Sequence, residues 1–287
     1  MKQNTKKRSR FGAIWFRFRK NKTAMLGLFI IVALILATLI VSLFCDYSKA
    51  ITNNVAEKYQ PPSAAHPFGT DLLGRDILWR TLFGARISLL CGLASVLLGM
   101  LAGTGIGAVS GYYGGLVDNI LMRLMDILLA IPSILLCIAI VAAWGGSMVN
   151  LVIALAIALV PNFARIVRAS ILSVKSMDYI EAARAYGASN LHIILRQIIP
   201  NAMAPVIVSA TLAIGAAILA IAGLSYLGLG VTPPTPEWGY ILSEAQGSLR
   251  YYPYLIIAPG LALVLTVMAF NLFGDGLRDA LDPKLKN

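Results

Sequence analysis

The sequence predicts an all-α integral membrane protein with six transmembrane helices and both termini on the cytoplasmic side. Three observations predict it. Of 287 residues, 58% are hydrophobic and only 13% charged, against about 25% charged in a soluble domain. Six apolar stretches, each near the about 20 residues needed to cross a bilayer, alternate with polar segments. The cations are also unevenly placed. When successive loops are assigned to alternate sides, 18 of the 24 Lys and Arg fall on the side of the two termini, which the positive-inside rule makes cytoplasmic. A formal net charge of +11 would suggest nucleic acid in a soluble protein. Here the placement of the charge matters more than its sum.

Residues 1–22 form a basic cytoplasmic tail. It holds nine Lys or Arg and no acid, with Phe11, Trp15, Phe16 and Phe18 among the arginines. That pattern suits anionic lipid, with aromatics at the interface, better than nucleic acid, because an apolar span follows at once. Residues 23–45 are the first transmembrane helix. A cleaved signal peptide would have an apolar core of about 7–15 residues and small residues at the cut. This core is longer, and bulky Phe44 precedes Cys45. Cys45, Cys91 and Cys137 lie in or beside apolar segments without paired or metal-binding spacing, so they read as small apolar fillers.

Residues 46–86 form an extracytoplasmic loop with breakers at Pro61-Pro62 and His66-Pro67. His66 has no second His or Cys nearby and reads as structural, not as a metal ligand. Asp71, Arg75 and Asp76 are expected to pair locally. Residues 87–275 hold five more helices. The second span, 87–109, is glycine-rich. Gly103 and Gly107 make a small-xxx-small pair for close helix packing. The third, 117–143, carries Arg123 and Asp126 three apart, expected to neutralise each other, and a kink at Pro132. The fourth, 148–167, is expected to break at Pro161. The fifth runs from about 198 to 229, interrupted by Pro200, Pro205, Gly215 and Gly223. Asn201 and Ser209 are candidates to face a cavity, though Asn201 equally suits a cap of the broken helix. An outer loop at 231–252 precedes the sixth span, 254–273, and residues 276–287 form a cytoplasmic tail.

Between the fourth and fifth spans lies a cytoplasmic loop, 169–197, whose core is polar. Asp178 and Glu181 are spaced as a capping box that opens a helix. Gly187 can take the left-handed conformation that closes it. The helix between, residues 179–186, is about 12 Å long and too short to stand alone in water. It must dock, either on the membrane surface or in a soluble partner. Spacing alone leaves both open. Ser189 can cap a second helix, with Leu191, Ile194, Leu195 and Ile198 on one face.

Glu181-Ala182-Ala183, Gly187 and the closing Ile199-Pro200 resemble the Glu-Ala-Ala signature of binding-protein-dependent ABC importer permeases. Gln197 and Ile199 depart from that pattern, which prefers an aliphatic residue and then Leu. The run Gly69-Thr70-Asp71…Gly74-Arg75-Asp76…Gly84-Ala85-Arg86…Ser88-Leu89 is similar to the signature of the dipeptide/oligopeptide/nickel permeases, C-type subunit, apart from Trp79 in place of a small residue. Pro234-Thr235-Pro236-Glu237-Trp238-Gly239 and the stretch from Asn271 to Pro283 resemble the same subfamily, so the likeness covers nearly the whole chain. It implies the type I ABC importer permease architecture and a role in importing dipeptides or oligopeptides, or nickel or a metal chelate. It also implies that the polar loop is the coupling helix that sits on an ATPase, with Tyr179, Glu181, Ala182, Ala183, Arg184 and Gly187 as the coupling residues. The implied partners are a homologous B-type permease, two cytoplasmic ABC ATPase subunits and an extracytoplasmic substrate-binding protein, besides membrane lipid.

The chain has no phosphate-binding loop of the G-x-x-x-x-G-K-[ST] type, so ATP and magnesium belong on partner subunits and the chain is expected to be neither an enzyme nor a cofactor carrier. It shows no cluster of residues for catalysis or metal binding, and no series of intramembrane acids for proton or sodium coupling. Two other classes stay open on the residues alone: a self-contained secondary transporter or channel, and a structural membrane protein held by lipid. The sequence identifies no substrate-contacting residue.

Overall fold

The computed structural model describes residues 10–281. Lys2, Lys6, Lys7, Arg8, Lys284 and Lys286 of the two basic tails lie outside the described residues. Helix α1 (Arg10–Lys20) leads into α2 (Lys22–Phe44). Asn21 joins them as an N-cap: its Oδ1 accepts from the backbone N–H of Thr23 and Ala24 at 3.1 and 3.2 Å. Phe18 is buried, with its ring 5.3 Å from that of Phe273. The α1–α2 corner is thereby pinned to the end of α12 (Ile257–Leu281). Trp15 and Phe16 remain exposed beside the cations, the arrangement of an interfacial helix.

The last ten residues of the expected extracytoplasmic segment are helical, because α4 (Ile77–Tyr113) begins before residue 87. Asp76 is the cause. Its side chain caps the helix by accepting from Trp79 N–H at 3.2 Å. At 37 residues, α4 is about 55 Å long and extends beyond a hydrocarbon layer of about 30 Å. Before it, a four-residue helix, α3 (Ser48–Ile51), packs against α4. Residues 54–76 then form a strap held by ion pairs. Arg75 Nε donates to Asp71 at 2.7 Å and its Nη2 to Glu244 at 2.8 Å, while Arg80 reaches the same two carboxylates at 2.5 Å each. Burial opposes the Arg75 charge, but Glu244 and Asp71 outweigh it and raise the guanidinium above its ordinary value. Asp76 pairs instead with His66 Nδ1 at 2.8 Å, so that histidine is a structural strut.

The third apolar stretch is two helices, α5 (Gly115–Ala130) and α6 (Ser133–Trp144), which meet at 88°. The expected kink at Pro132 is a full break, since Ile131 is extended and Pro132 becomes the cap of α6. Pro161 does the reverse. Helix α7 (Met148–Lys175) runs through it without a break, as transmembrane helices do when neighbours re-satisfy the freed backbone group. The expected Arg123–Asp126 pair is not made. Asp126 pairs with Arg165 of α7 at 2.5 Å, and Asp118 takes a bidentate grip from Arg168 at 2.6 Å per bond. An arginine on the facing helix offers its fork directly, whereas an i,i+3 pair bends two side chains along one surface for a few tenths of a kcal/mol (about 0.2–0.5).

Helix α10 (Ile199–Tyr226) is continuous past Pro205 and Gly215. The outer loop holds a further helix, α11 (Trp238–Ala245). Glu237 is fully buried and caps it. Its carboxylate accepts from Gly239 N–H, Tyr240 N–H and Ser88 Oγ–H at 2.9–3.0 Å. Trp238 Nε1 donates to Thr81 O at 2.9 Å, so α11 is bolted onto α4. The last helix, α12, continues to Leu281, so the expected tail from 276 begins as helix, with Gly276 packed directly on Ala24.

The main core joins α4, α6, α7 and α10, with α2 and α12 paired alongside. Glycines set the closest approach. Gly99, Gly103, Gly107 and Gly111 repeat every four residues on α4 and all face α7. A Cβ on Gly103 would lie 2.5 Å from Phe163 Cβ, and one on Gly107 would lie 2.5 Å from Ala164 O. The expected Gly103–Gly107 pair is thus the middle of a four-rung ladder. Gly105, on another face, meets nothing within 4 Å.

Candidate coupling site

At the end of α7 the chain turns at Ser176 and Met177 into α8 (Asp178–Ala185). The expected capping box does not form. The cap position is Met177, which makes no side-chain hydrogen bond, and Asp178 is already helical. Asp178 and Glu181 still sit in the first turn, where negative charge favours the helix dipole.

The other end closes as a Schellman motif. Gly187 has φ +78°. Ala188 N–H donates to Ala183 O at 3.1 Å and Gly187 N–H to Arg184 O at 2.9 Å, the paired closure that requires a left-handed residue. Ala183 and Gly187 are therefore both tied into the closing turn by backbone bonds. Ala183 and Ala188 both rest against the core.

The short helix docks through Ile180, which is fully buried, while Tyr179, Glu181, Ala182, Arg184 and Tyr186 are exposed. Tyr186 shows 92% of its surface. The helix thus has one fully buried residue and a broad open face. Of the expected set, Tyr179, Glu181 and Ala182 belong to that face. Ala183 and Gly187 hold the turn. Arg184 bends back towards the bundle, its guanidinium carbon 5.4 Å from the centre of the Tyr112 ring.

Beyond Gly187, Ser189 caps the one-turn helix α9 (Asn190–His192). The chain then winds as a π-helix over Ile193–Ile198, with Ile199 N–H bonded to Ile194 O. The expected apolar face is corrected here. Ile193, Ile194 and Ile198 are buried, but Leu191 and Leu195 are exposed. An i→i+5 winding stacks residues five apart, so Ile193 and Ile198 share a face and the 3.6-residue period does not apply. Asn201 is exposed and within α10, not at a cap; its Nδ2 donates to Gln197 O at 2.7 Å.

Residues not singled out in the sequence complete the site. Tyr112, the penultimate residue of α4, donates from its hydroxyl to Asn190 Oδ1 at 2.6 Å. Lys175, the last residue of α7, donates to the Tyr112 carbonyl and lies over its ring. The only signal for Tyr112 was its place between the glycine ladder and Gly114-Gly115. Nothing in the local pattern marks Asn190 or Lys175 as its partners.

A family model described as "Binding-protein-dependent transport system inner membrane component" matches residues 81–287. The chain belongs to this family. A second model, "N-terminal TM domain of oligopeptide transport permease C", matches residues 9–62. Among similar proteins, the "Dipeptide transport system permease protein DppC" of Alkalihalophilus pseudofirmus is 47% identical over 271 residues, covering 94% of this chain and 89% of the relative. The "Glutathione transport system permease protein GsiD" of Pectobacterium atrosepticum is 46% identical over 95% of this chain and 91% of that one. The DppC of Haemophilus influenzae is 42% identical over 95% and 94%. A chain of the MetNI methionine ABC transporter, solved in an inward-facing conformation, superposes with a TM-score of 0.58 at 20% identity, over 72% of this chain and 98% of its own. That likeness shows the shared type I importer fold. The permease is a multi-pass inner-membrane component of an ABC importer, and a self-contained secondary transporter is set aside.

Proposed function

We propose that this permease forms half of the translocation pathway for short peptides and is driven by cytoplasmic ATPase subunits that grip α8. The carrying observation is the helix itself: eight residues, with Ile180 buried, Ala183 resting on the core, and Tyr179, Glu181, Ala182 and Tyr186 turned outward. A helix this short is held by what it packs on, and its open face suits a protein groove. The positive-inside asymmetry puts that face in the cytoplasm with both termini, and the outer strap with α11 on the opposite side. On this reading ATP and magnesium are bound by the partner subunits, a homologous second permease supplies the other half of the pathway, and a binding protein delivers cargo to the outer face. The family description supports such an assembly.

Short peptide is the favoured cargo class, because the similar DppC and GsiD proteins are named for dipeptide and glutathione transport. Those names favour peptide over nickel or a metal chelate. Closure of the ATPases would move α8 and rock the helices as rigid bodies, exposing the cavity to alternate sides.

The test is co-purification from mild detergent with ATPase and uptake assays in proteoliposomes. Glu181→Lys and Gly187→Val should insert normally, yet lose ATPase association or uptake. Normal uptake by both would overturn the assignment of α8.

A further inference from the structure

We propose that Tyr112 is the positioning residue through which displacement of α8 is delivered to α4 and α7 together. This rests on the reading of α8 as the ATPase contact. Tyr112 is buried, at 6% exposure, and it is where four elements converge. It belongs to α4. Its hydroxyl donates to Asn190 of α9 at 2.6 Å. Its ring has the Arg184 guanidinium of α8 at 5.4 Å and the Lys175 ammonium of α7 at 5.7 Å. Both distances lie within cation–π range. Its carbonyl accepts from the same Lys175.

The contacts differ in kind from the other anchor. Ile180 is held by apolar packing, which resists removal of the side chain from the core but is not directional. The hydroxyl–amide bond and the two cation–ring contacts have preferred directions, so they transmit lateral and rotational displacement. They also bracket the Schellman turn, with Arg184 before Gly187 and Asn190 after it. A movement of α8 that keeps its turn intact therefore pulls on Tyr112 from both sides.

The glycine ladder fixes the response to a pull on Tyr112. Gly111, adjacent to Tyr112, approaches α7 so closely that a Cβ would lie 3.0 Å from Ile171 Cγ2. The ladder continues through Gly107, Gly103 and Gly99 along α7. Close-packed helices of this kind move as one body, because interiors at crystal-like density deform little. The input at Tyr112 reaches the α4–α7 pair as a unit.

The experiment uses the whole transporter with its ATPases and binding protein in proteoliposomes, and reads ATP hydrolysed per substrate taken up. Tyr112→Phe keeps the ring and removes the bond to Asn190. It should raise the ratio by about fivefold, the scale of one net hydrogen bond. Asn190→Ala, which breaks the same bond from an exposed position, should give the same ratio, and the double variant no further rise. Tyr112→Leu, which also removes the ring, should raise it by more than about tenfold. ATPase co-purification should be unchanged in all four. Unchanged ratios in Tyr112→Phe and Asn190→Ala would overturn the proposal even if Tyr112→Leu failed to insert. So would loss of ATPase binding in these variants, which would make Tyr112 a docking residue. Glu181→Lys run in parallel separates the two readings: full coupling there removes the role of α8, whereas uncoupling there with normal Tyr112 variants removes only the transmission route.

Discussion

Replacing Glu244 with Ala should loosen the extracytoplasmic strap. The carboxylate holds two guanidinium groups, Arg75 Nη2 at 2.8 Å and Arg80 Nη2 at 2.5 Å. The side chain of Arg80 is only 1% exposed, so losing this partner costs more than it would at the surface. Hydrogen bonds to charged groups contribute about 1.5–3 kcal/mol each, so two give about 3–6 kcal/mol. Glu244 itself is 22% exposed, and solvent screens part of this, which places the expected loss near the lower end, about 3 kcal/mol. If the loss reaches global unfolding, the apparent Tm in detergent falls by about 6–12 °C at about 2–4 °C per kcal/mol. If it stays local, limited proteolysis should cut residues 54–76 first. Glu244→Gln keeps the shape and one acceptor oxygen, so it should show about half the effect. A Glu244→Ala protein that melts within about 1 °C of the parent, with an unchanged cleavage pattern, would refute the view that this network fastens the strap to α11.

The packing and the turn carry further expectations. Gly107→Ala should destabilise the purified protein by about 1–3 kcal/mol through overpacking against α7, whereas Gly105→Ala, with open space around it, should gain about 0.5–1 kcal/mol from helix propensity; thermal melts of the pair check the ladder. Gly187→Val should cost about 1–2 kcal/mol through backbone strain alone, and Gly187→Asn distinctly less, because Asn tolerates the left-handed region; uptake assays and proteolysis of the loop separate them. Asp118→Ala should destabilise by about 1.5–3 kcal/mol, since it loses a bidentate arginine, while Asp126→Ala, from a half-exposed pair, should cost at most about 1 kcal/mol; melts of both variants compare them.

Apolar run length made the long helices legible, since a span needs little more than enough consecutive hydrophobic residues. The loop around Glu181 was legible through its turn chemistry, and Gly187 does take the left-handed conformation. The misses have physical causes. The pairing of Asp126 was misjudged because charge spacing on one helix says nothing about what the facing helix offers. The face of residues 191–198 was misjudged because periodicity presumes a winding, and Pro200, which cannot donate to the Arg196 carbonyl, follows a stretch that winds differently. Glu237 sits in a proline-rich loop that reads as solvent-facing. Its burial depends on Ser88, 149 residues earlier, and no local pattern carries that information.

The right angle between α5 and α6 has a consequence for what surrounds the chain. The two helices connect the Tyr112 end of α4 to the far end of α7, so together they traverse the membrane, yet their 16 and 12 residues measure only about 24 and 18 Å. Their junction therefore lies inside the apolar layer. There Ile131 N–H closes on the Leu128 carbonyl at 3.4 Å, the other last carbonyls of α5 have no partner within their own helix, and Pro132 has no N–H to offer them. Hydrocarbon cannot solvate bare carbonyls, and irregular backbone persists at this depth only against protein or water. The outer side of this elbow is a place from which acyl chains are excluded, so the boundary between lipid and the rest of the transporter runs past Ile131.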